Sequence, residues 1–245
     1  MATIDHVTVR VSNLDAAREL FTESFELLAF AGRRFDGDGF HEWSDFSIAA
    51  ADDAHPATTG LHVGFAAISR RQVDSWWQAL TYAGHFDDGS PGPRPEYGPT
   101  YYGAFIRDSD GNSLEAVHHE RTDPETGVVD HLWIRVTDIA ASKRFYAAVA
   151  EATGTGTHDR VDRLQMLTDS GTFTVLEGTP TRNAHLAIGV DDEETVRAFH
   201  RAGVAAGGRD NGAPGERPEY HAGYYGAYVL DPDGNNVEAV WHNRS

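Results

Sequence analysis

Two triplets of residues stand out by type and spacing: His6, His62 and Glu115, then His131, His185 and Glu238. Two imidazoles and one carboxylate suit a divalent ion, and three protein ligands leave coordination positions open for water or substrate, as catalysis requires. The chain has no cysteine, which removes disulfides, zinc fingers, iron–sulfur clusters and thiol nucleophiles. Without thiolates the candidate ions are Fe2+, Mn2+, Ni2+, Zn2+ and Co2+. A lone strand histidine is more often a packed or solvent-facing side chain. Only the recurrence of all three types in the same order points to a metal.

That recurrence belongs to a longer repeat. IDHVTVRV at Ile4–Val11 returns as VDHLWIRV at Val129–Val136, and GLHVGF at Gly60–Phe65 returns in NAHLAIGV at Asn183–Val190. RPEYGPTYYGAFIRDSDGNSLEAVHH at Arg94–His119 returns as RPEYHAGYYGAYVLDPDGNNVEAVWH at Arg217–His242. The offsets are 125, 123 and 123 residues, so the chain is a tandem duplication rather than a solenoid of short units. The expected domains are residues 1–120 and 127–245. They are joined by the polar HERTDPETG at His119–Gly127, where Pro124 and Gly127 mark a crossing between halves.

Each half divides again. Val7, Val9 and Val11 alternate with His6, Thr8 and Arg10, the period-2 mark of a half-buried strand with histidine, hydroxyl and arginine on the open face. A helix is expected over Asp15–Leu28, then strands over Phe35–Trp43 and Phe46–Ala51. After Pro56 the plan restarts with a strand at Gly60–Ala66, a helix at Ser69–Gly84 and strands near Thr100–Arg107 and Asn112–His118. Ser69 and Gln72 form a capping box, and Val73, Trp76, Trp77 and Leu80 make one stripe, with at least one tryptophan in the core. Asp191, Asp192, Glu193 and Glu194 put carboxylates at a helix start, and the Asp-x-Asp-Gly-Asn runs at Asp108–Asn112 and Asp231–Asn235 are tight turns. His62 shares its face with the small residues Gly64 and Ala66, leaving room above the sheet, and Ala187 and Gly189 do the same beside His185.

These segments resemble the vicinal oxygen chelate superfamily, which includes glyoxalase I, fosfomycin- and bleomycin-resistance proteins and extradiol dioxygenases. The resemblance rests on the IDHVTVRV and VDHLWIRV starts, the mid-half histidines, and the DSDGNSLEAV and DPDGNNVEAV ends with Tyr-Tyr-Gly-Ala upstream. It implies an α+β fold of two tandem domains, with four βαβββ modules forming open barrel-like cups. It places metal ligands at His6, His62, Glu115, His131, His185 and Glu238. Glyoxalase I adds an acidic ligand from the fourth strand. Phe46–Ala50 has none, while Phe173–Glu177 offers Glu177. Fosfomycin-type members need a cationic cradle, for which Arg94 and Arg217 are available. Bleomycin-binding members keep the fold without the metal triad. Modules can pair within a half or across halves. The first gives His6–His62–Glu115 and His131–His185–Glu238, the second His6–His185–Glu238 and His131–His62–Glu115, and the sequence admits both.

The expected function is a divalent-metal enzyme acting on a small substrate with adjacent oxygens, by lyase/isomerase or ring-cleaving dioxygenase chemistry. The competing class is a non-catalytic small-molecule or antibiotic-binding protein. Candidate general bases are Tyr102, Tyr225, Glu177, His119 and His242. The Arg94–Tyr97 and Arg217–Tyr220 segments are either substrate-closing loops or plain connections. With 20 basic residues, only Lys143 a lysine, against 38 acidic ones, the net charge of −18 argues against nucleic acid and anionic membrane partners. A cytoplasmic monomer or homodimer with a small-molecule partner is expected.

Overall fold

The computed structural model describes residues 2–120, 122 and 127–243. Pro124 of the expected linker lies outside them. The chain forms two compact units, Val9–Leu132 in one and Met1–Thr8 with Trp133–Ser245 in the other.

The Val9–Leu132 unit holds α1 (Leu14–Leu27), β2 (Arg34–Gly37), β3 (Phe40–Trp43), β4 (Phe46–Ala50), β5 (His62–Ala66), α2 (Arg70–Tyr82), β6 (Phe86–Pro93), β7 (Tyr102–Arg107) and β8 (Ser113–His118). It also takes the end of β1 (Thr3–Val11) and the start of β9 (Val129–Val136). The expected helices are present. Asn13 caps α1, and Ser69 caps α2 by accepting from the Gln72 amide at 3.2 Å. Gln72 Oε1 accepts from the Ile68 amide at 2.8 Å, one residue before the cap. Trp76 is wholly buried, and its indole donates to Ser24 Oγ. Trp77 instead donates to Asp87 on the rim. Phe21, Phe25, Trp43, Phe46 and Phe65 fill the core, with the Phe25 ring 5.0 Å from Phe65 and 5.4 Å from Trp43.

One expectation needs correcting and another gains its position. The strand expected over Phe35–Trp43 is a hairpin, because Gly39 takes a positive φ of 79° and turns the chain. The βαβββ plan implies a strand between α2 and β7 without placing it, and the eight-residue β6, FDDGSPGP, is that strand. It lacks apolar alternation, and its ladder to β7 shifts register at Asp87/Gly89 and Gly89/Gly92. It lies at a sheet edge, where proline and bulges are tolerated.

The other unit holds α3 (Ile139–Thr153), β10 (Gly156–Arg160), β11 (Arg163–Leu167), β12 (Thr172–Glu177), β13 (His185–Gly189), α4 (Glu193–Ala205), β14 (Arg209–Glu216), β15 (Tyr224–Leu230) and β16 (Asn236–His242). The start of β1 joins it. Asp138 and Asp192 cap its helices. No helix among the described residues is long and apolar enough to cross a membrane.

Two eight-stranded sheets run β14-β15-β16-β13-β1-β4-β3-β2 and β10-β11-β12-β9-β5-β8-β7-β6. The pairing left open by the sequence is therefore the exchanged one. The first strand of each sequence half lies beside the fifth strand of the other: β1 runs antiparallel to β13, and β9 neighbours β5. The compact units differ from the sequence halves through this exchange. The buried Asp45 carboxylate accepts from the amides of Val128 and Val129 at 2.7 and 3.3 Å, fixing where β9 begins.

Candidate metal centres

The turn Asp108–Asn112 sets up the first centre. Asp108 accepts from the Asp110 and Asn112 amides, and Gly111 takes a φ of 84°. The buried Asn112 side chain accepts from the Leu61 amide at 3.1 Å and donates to the Thr58 carbonyl at 2.9 Å. This clamps the start of β5 to the start of β8, so the two run parallel with His62 opposite Ser113 and Gly64 opposite Glu115. Asn235 accepts equivalently from the Ala184 amide and registers β13 with β16.

In the Val9–Leu132 unit, His62 Nε2, His131 Nε2 and Glu115 Oε2 converge, at 3.1 Å between the nitrogens and 3.1 and 3.2 Å from each to the carboxylate. In the other unit, His6 Nε2 and His185 Nε2 lie 3.0 Å apart, with Glu238 Oε2 at 3.6 and 3.2 Å. Ligands at about 2.0–2.2 Å from one ion stand roughly 3.0–3.5 Å from each other, so both sets have the spacing that a divalent ion needs. Among the described residues these are the two clusters that could hold one.

Each site histidine from a first strand is oriented from behind. His131 Nδ1 lies 2.8 Å from Asp130 Oδ1, whose other oxygen is 2.9 Å from His119 Nε2. His6 Nδ1 lies 2.7 Å from Asp5 Oδ1, whose other oxygen is 2.8 Å from His242 Nε2. Consecutive strand residues normally point to opposite faces. A register shift in β1 between Ile4 and His6 relieves this, letting Asp5 reach the ring of its neighbour. The carboxylate places the proton on Nδ1 and so turns the Nε2 edge of each ring towards the other two side chains of its triad. Glu115 and Glu238 are held on their second oxygen, which accepts from Tyr101 at 2.9 Å and Tyr224 at 2.7 Å. The Tyr-Tyr-Gly-Ala motif thereby gains a physical reason: a Cβ on Gly103 would fall 2.2 Å from Glu115 Oε1, and one on Gly226 2.8 Å from Glu238 Oε1.

Burial alone would depress His131, but hydrogen bonds and charge from Asp130 and Glu115 push it up to about 10. Burial would raise Glu115 and Asp130, yet their histidine partners hold both below the ordinary carboxylate range. Asp5 is lowered in the same way, against burial, by His242 and His6. Burial and the adjacent glutamates push the Tyr101 and Tyr224 hydroxyls far up, so they stay protonated donors. The raised His131 stabilises the metal-free fold fully below its unfolded value of 6.5, and this is lost as pH rises through about 10. The metal-free Tm is expected to fall between pH 7 and 10, a slope that metal loading or His131→Asn should flatten. A metal-free Tm that does not fall over that range would be the contrary result.

Tyr102 and Tyr225, expected as site tyrosines, are turned onto the helices instead. The Tyr102 hydroxyl donates to Asp74 at 2.7 Å, and Arg197 stacks on Tyr225 at 5.1 Å. Their chain neighbours Tyr101 and Tyr224 reach the carboxylates, because adjacent strand residues face oppositely. Glu177 is exposed at the end of β12 and belongs to neither cluster. His119 and His242 stand one carboxylate behind the ligating rings. Asp5 and Asp130 were missed, although the repeated Asp-His dipeptide was the available signal.

The centres are not copies. His131 lies flat over Gly64, where a Cβ would fall 2.1 Å from the ring, while Ala187 pairs with His6 in the other unit. The His131 and His62 side chains are 6% and 10% exposed, against 25% and 19% for His6 and His185. Gly64→Ala is expected to displace His131 and remove one metal equivalent without touching a ligand. Metal analysis checks this, with retention of both equivalents as the contrary result.

The model of the Glyoxalase/Bleomycin resistance protein/Dioxygenase superfamily matches residues 3–116 and 128–239. The chain belongs to this superfamily. Glyoxalase I from Zea mays is similar over 99% of this chain and 93% of its own, at 22% identity and a TM-score of 0.68, a likeness of fold. A glyoxalase/bleomycin resistance protein from Albidiferax ferrireducens T118 is 31% identical over 46% of this chain and 96% of its own, with a TM-score of 0.41. No curated protein matches the chain. Superfamily membership accords with the two tandem α+β repeats.

Proposed function

We propose that the protein is a divalent-metal-dependent enzyme of glyoxalase/dioxygenase type. It acts on a small substrate with adjacent oxygens, by lyase/isomerase or ring-cleaving chemistry. The observation that carries this reading is the convergence of His62, His131 and Glu115, and of His6, His185 and Glu238, each triad oriented from behind by an aspartate and a tyrosine. A protein that only sequesters a ligand in an apolar groove has no need of oriented imidazole lone pairs.

A bound ion would supply Lewis acidity towards the adjacent oxygens of the substrate. The chain's own groups do the rest. Asp130 and Asp5 fix the Nδ1–H tautomer of His131 and His6. Tyr101 and Tyr224 occupy one carboxylate oxygen each, so Glu115 and Glu238 present the other. Since both hydroxyls stay protonated, neither serves as a base. His119 and His242, on the far oxygen of each aspartate, are proposed to carry the proton that enters or leaves the site.

Metal analysis after anaerobic loading with iron(II), manganese, nickel, zinc or cobalt tests the reading. Two equivalents per chain are expected, and less than about 0.2 overturns it, since a preformed site should fill. With metal bound, oxygen uptake on a catechol panel marks ring cleavage. Proton exchange or isomerisation without oxygen uptake marks the lyase/isomerase branch.

A further inference from the structure

Beside each candidate centre lies an arginine that the metal chemistry does not use. Arg94 follows β6, and its guanidinium lies 5.4 Å from the centroid of Phe105, whose ring is 5.8 Å from that of His62. Its Nη1 donates to the Pro93 carbonyl and its Nη2 to the Ser90 carbonyl at 3.2 and 2.8 Å. Gly92 makes the pose possible, because a Cβ there would fall 2.9 Å from Nη1. In the other unit Arg217 repeats every element. It lies 5.6 Å from Tyr228, whose ring is 6.4 Å from that of His185. It donates to the Glu216 and Ala213 carbonyls at 3.0 and 2.8 Å, over Gly215. The stacked ring differs between the two units while the guanidinium pose does not.

A guanidinium carries five N–H donors. The protein carbonyls take two of them, and among the described residues neither arginine has an ion-pair partner within 4 Å. Carbonyl anchors fix the fork in place without neutralising its charge. In a chain of net charge −18, a fixed cation one ring away from a ligating imidazole is therefore placed to hold an anion.

We infer that Arg94 and Arg217 form carboxylate-binding subsites, so that each centre takes a substrate with adjacent oxygens at one end and a carboxylate at the other. This deepens the proposed function and rests on it for the end that meets the metal. The aromatic ring between the two would line the body of the substrate, and the planar fork suits a two-oxygen anion.

The test uses calorimetric titration of the metal-loaded full chain with 3-(3,4-dihydroxyphenyl)propanoate and with its neutral amide. The acid is expected to bind at two sites, on the order of tenfold to a hundredfold tighter than the amide, as a charge-assisted pair allows. Arg94→Met and Arg217→Met should each abolish that preference at one site and leave amide binding unchanged. Arg94→Lys should restore part of it. Arg94→Gln serves if Arg94→Met fails to fold. Equal affinity for acid and amide, no binding of either, or an undiminished preference in the folded Arg94 and Arg217 variants overturns the inference. If the acid binds in an arginine-dependent way to the metal-free chain as tightly as to the loaded one, the subsite stands and the metal reading falls.

Discussion

Glu115→Gln is expected to lose one of two metal equivalents, with affinity at that centre falling at least about 100-fold. The argument is local. Glu115 is 1% exposed and supplies the single anionic ligand of its triad, with Oε2 at 3.1 and 3.2 Å from the two imidazoles. An amide cannot balance the charge of a divalent ion. With its carbonyl towards Tyr101, it would also turn its NH2 group towards the histidines. The Tyr101 hydroxyl can still donate to the amide oxygen, so the fold should survive. The centre at His6, His185 and Glu238 shares no residue with the first and should keep its ion. Metal analysis and far-UV circular dichroism of Glu115→Gln, Glu238→Gln and the double variant check this. Unfolding of either single variant, or two equivalents retained in Glu115→Gln, would contradict it.

Phe25→Ala is expected to destabilise the Val9–Leu132 unit by about 3–5 kcal/mol, the usual cost of emptying a fully buried aromatic position. Phe25 is 2% exposed on α1, and its ring meets Trp43, Phe46 and Phe65 at 5.4, 5.7 and 5.0 Å. Phe65 is the residue after Gly64 on β5, so the cavity would open directly beneath the strand that carries His62. Metal affinity at His62, His131 and Glu115 should therefore weaken more than at the other centre. Denaturant unfolding monitored by tryptophan fluorescence, with parallel metal titration, measures both effects. A midpoint unchanged from wild type would contradict the packing argument.

The repeat makes most of the architecture legible, because identical ligand types recurring 123–125 residues apart single out the six residues that converge. Elements governed by periodicity and capping, such as α2 with Ser69 and the Val73–Trp76–Leu80 stripe, were readable for the same reason. The edge strand β6 was not, since its eight residues lack apolar alternation and its register against β7 shifts twice. Strand alternation assigns faces, but it does not say which face meets the metal. The motif alone therefore points to Tyr102, where Tyr101 is the residue that reaches Glu115. Alternation also conceals Asp5, which shares a side with His6 only through the bulge in β1. Whether the modules pair within or across halves is set by contacts distant in sequence, and identical repeats are compatible with either.

The exchange of β1 and β9 has a consequence for any attempt to divide the molecule. A polypeptide cut between residues 119 and 127 yields one piece with His6, His62 and Glu115 and another with His131, His185 and Glu238. Each piece owns a full complement of ligand types, yet neither contains a finished centre, because every triad draws one histidine from the far side of the cut. Truncation to a single repeat thus removes both centres at once. Only co-expression of the two pieces, or the pairing of two copies of one, can restore a complete donor set. In that sense the duplicated gene ties together permanently what two half-length chains would have to find by collision.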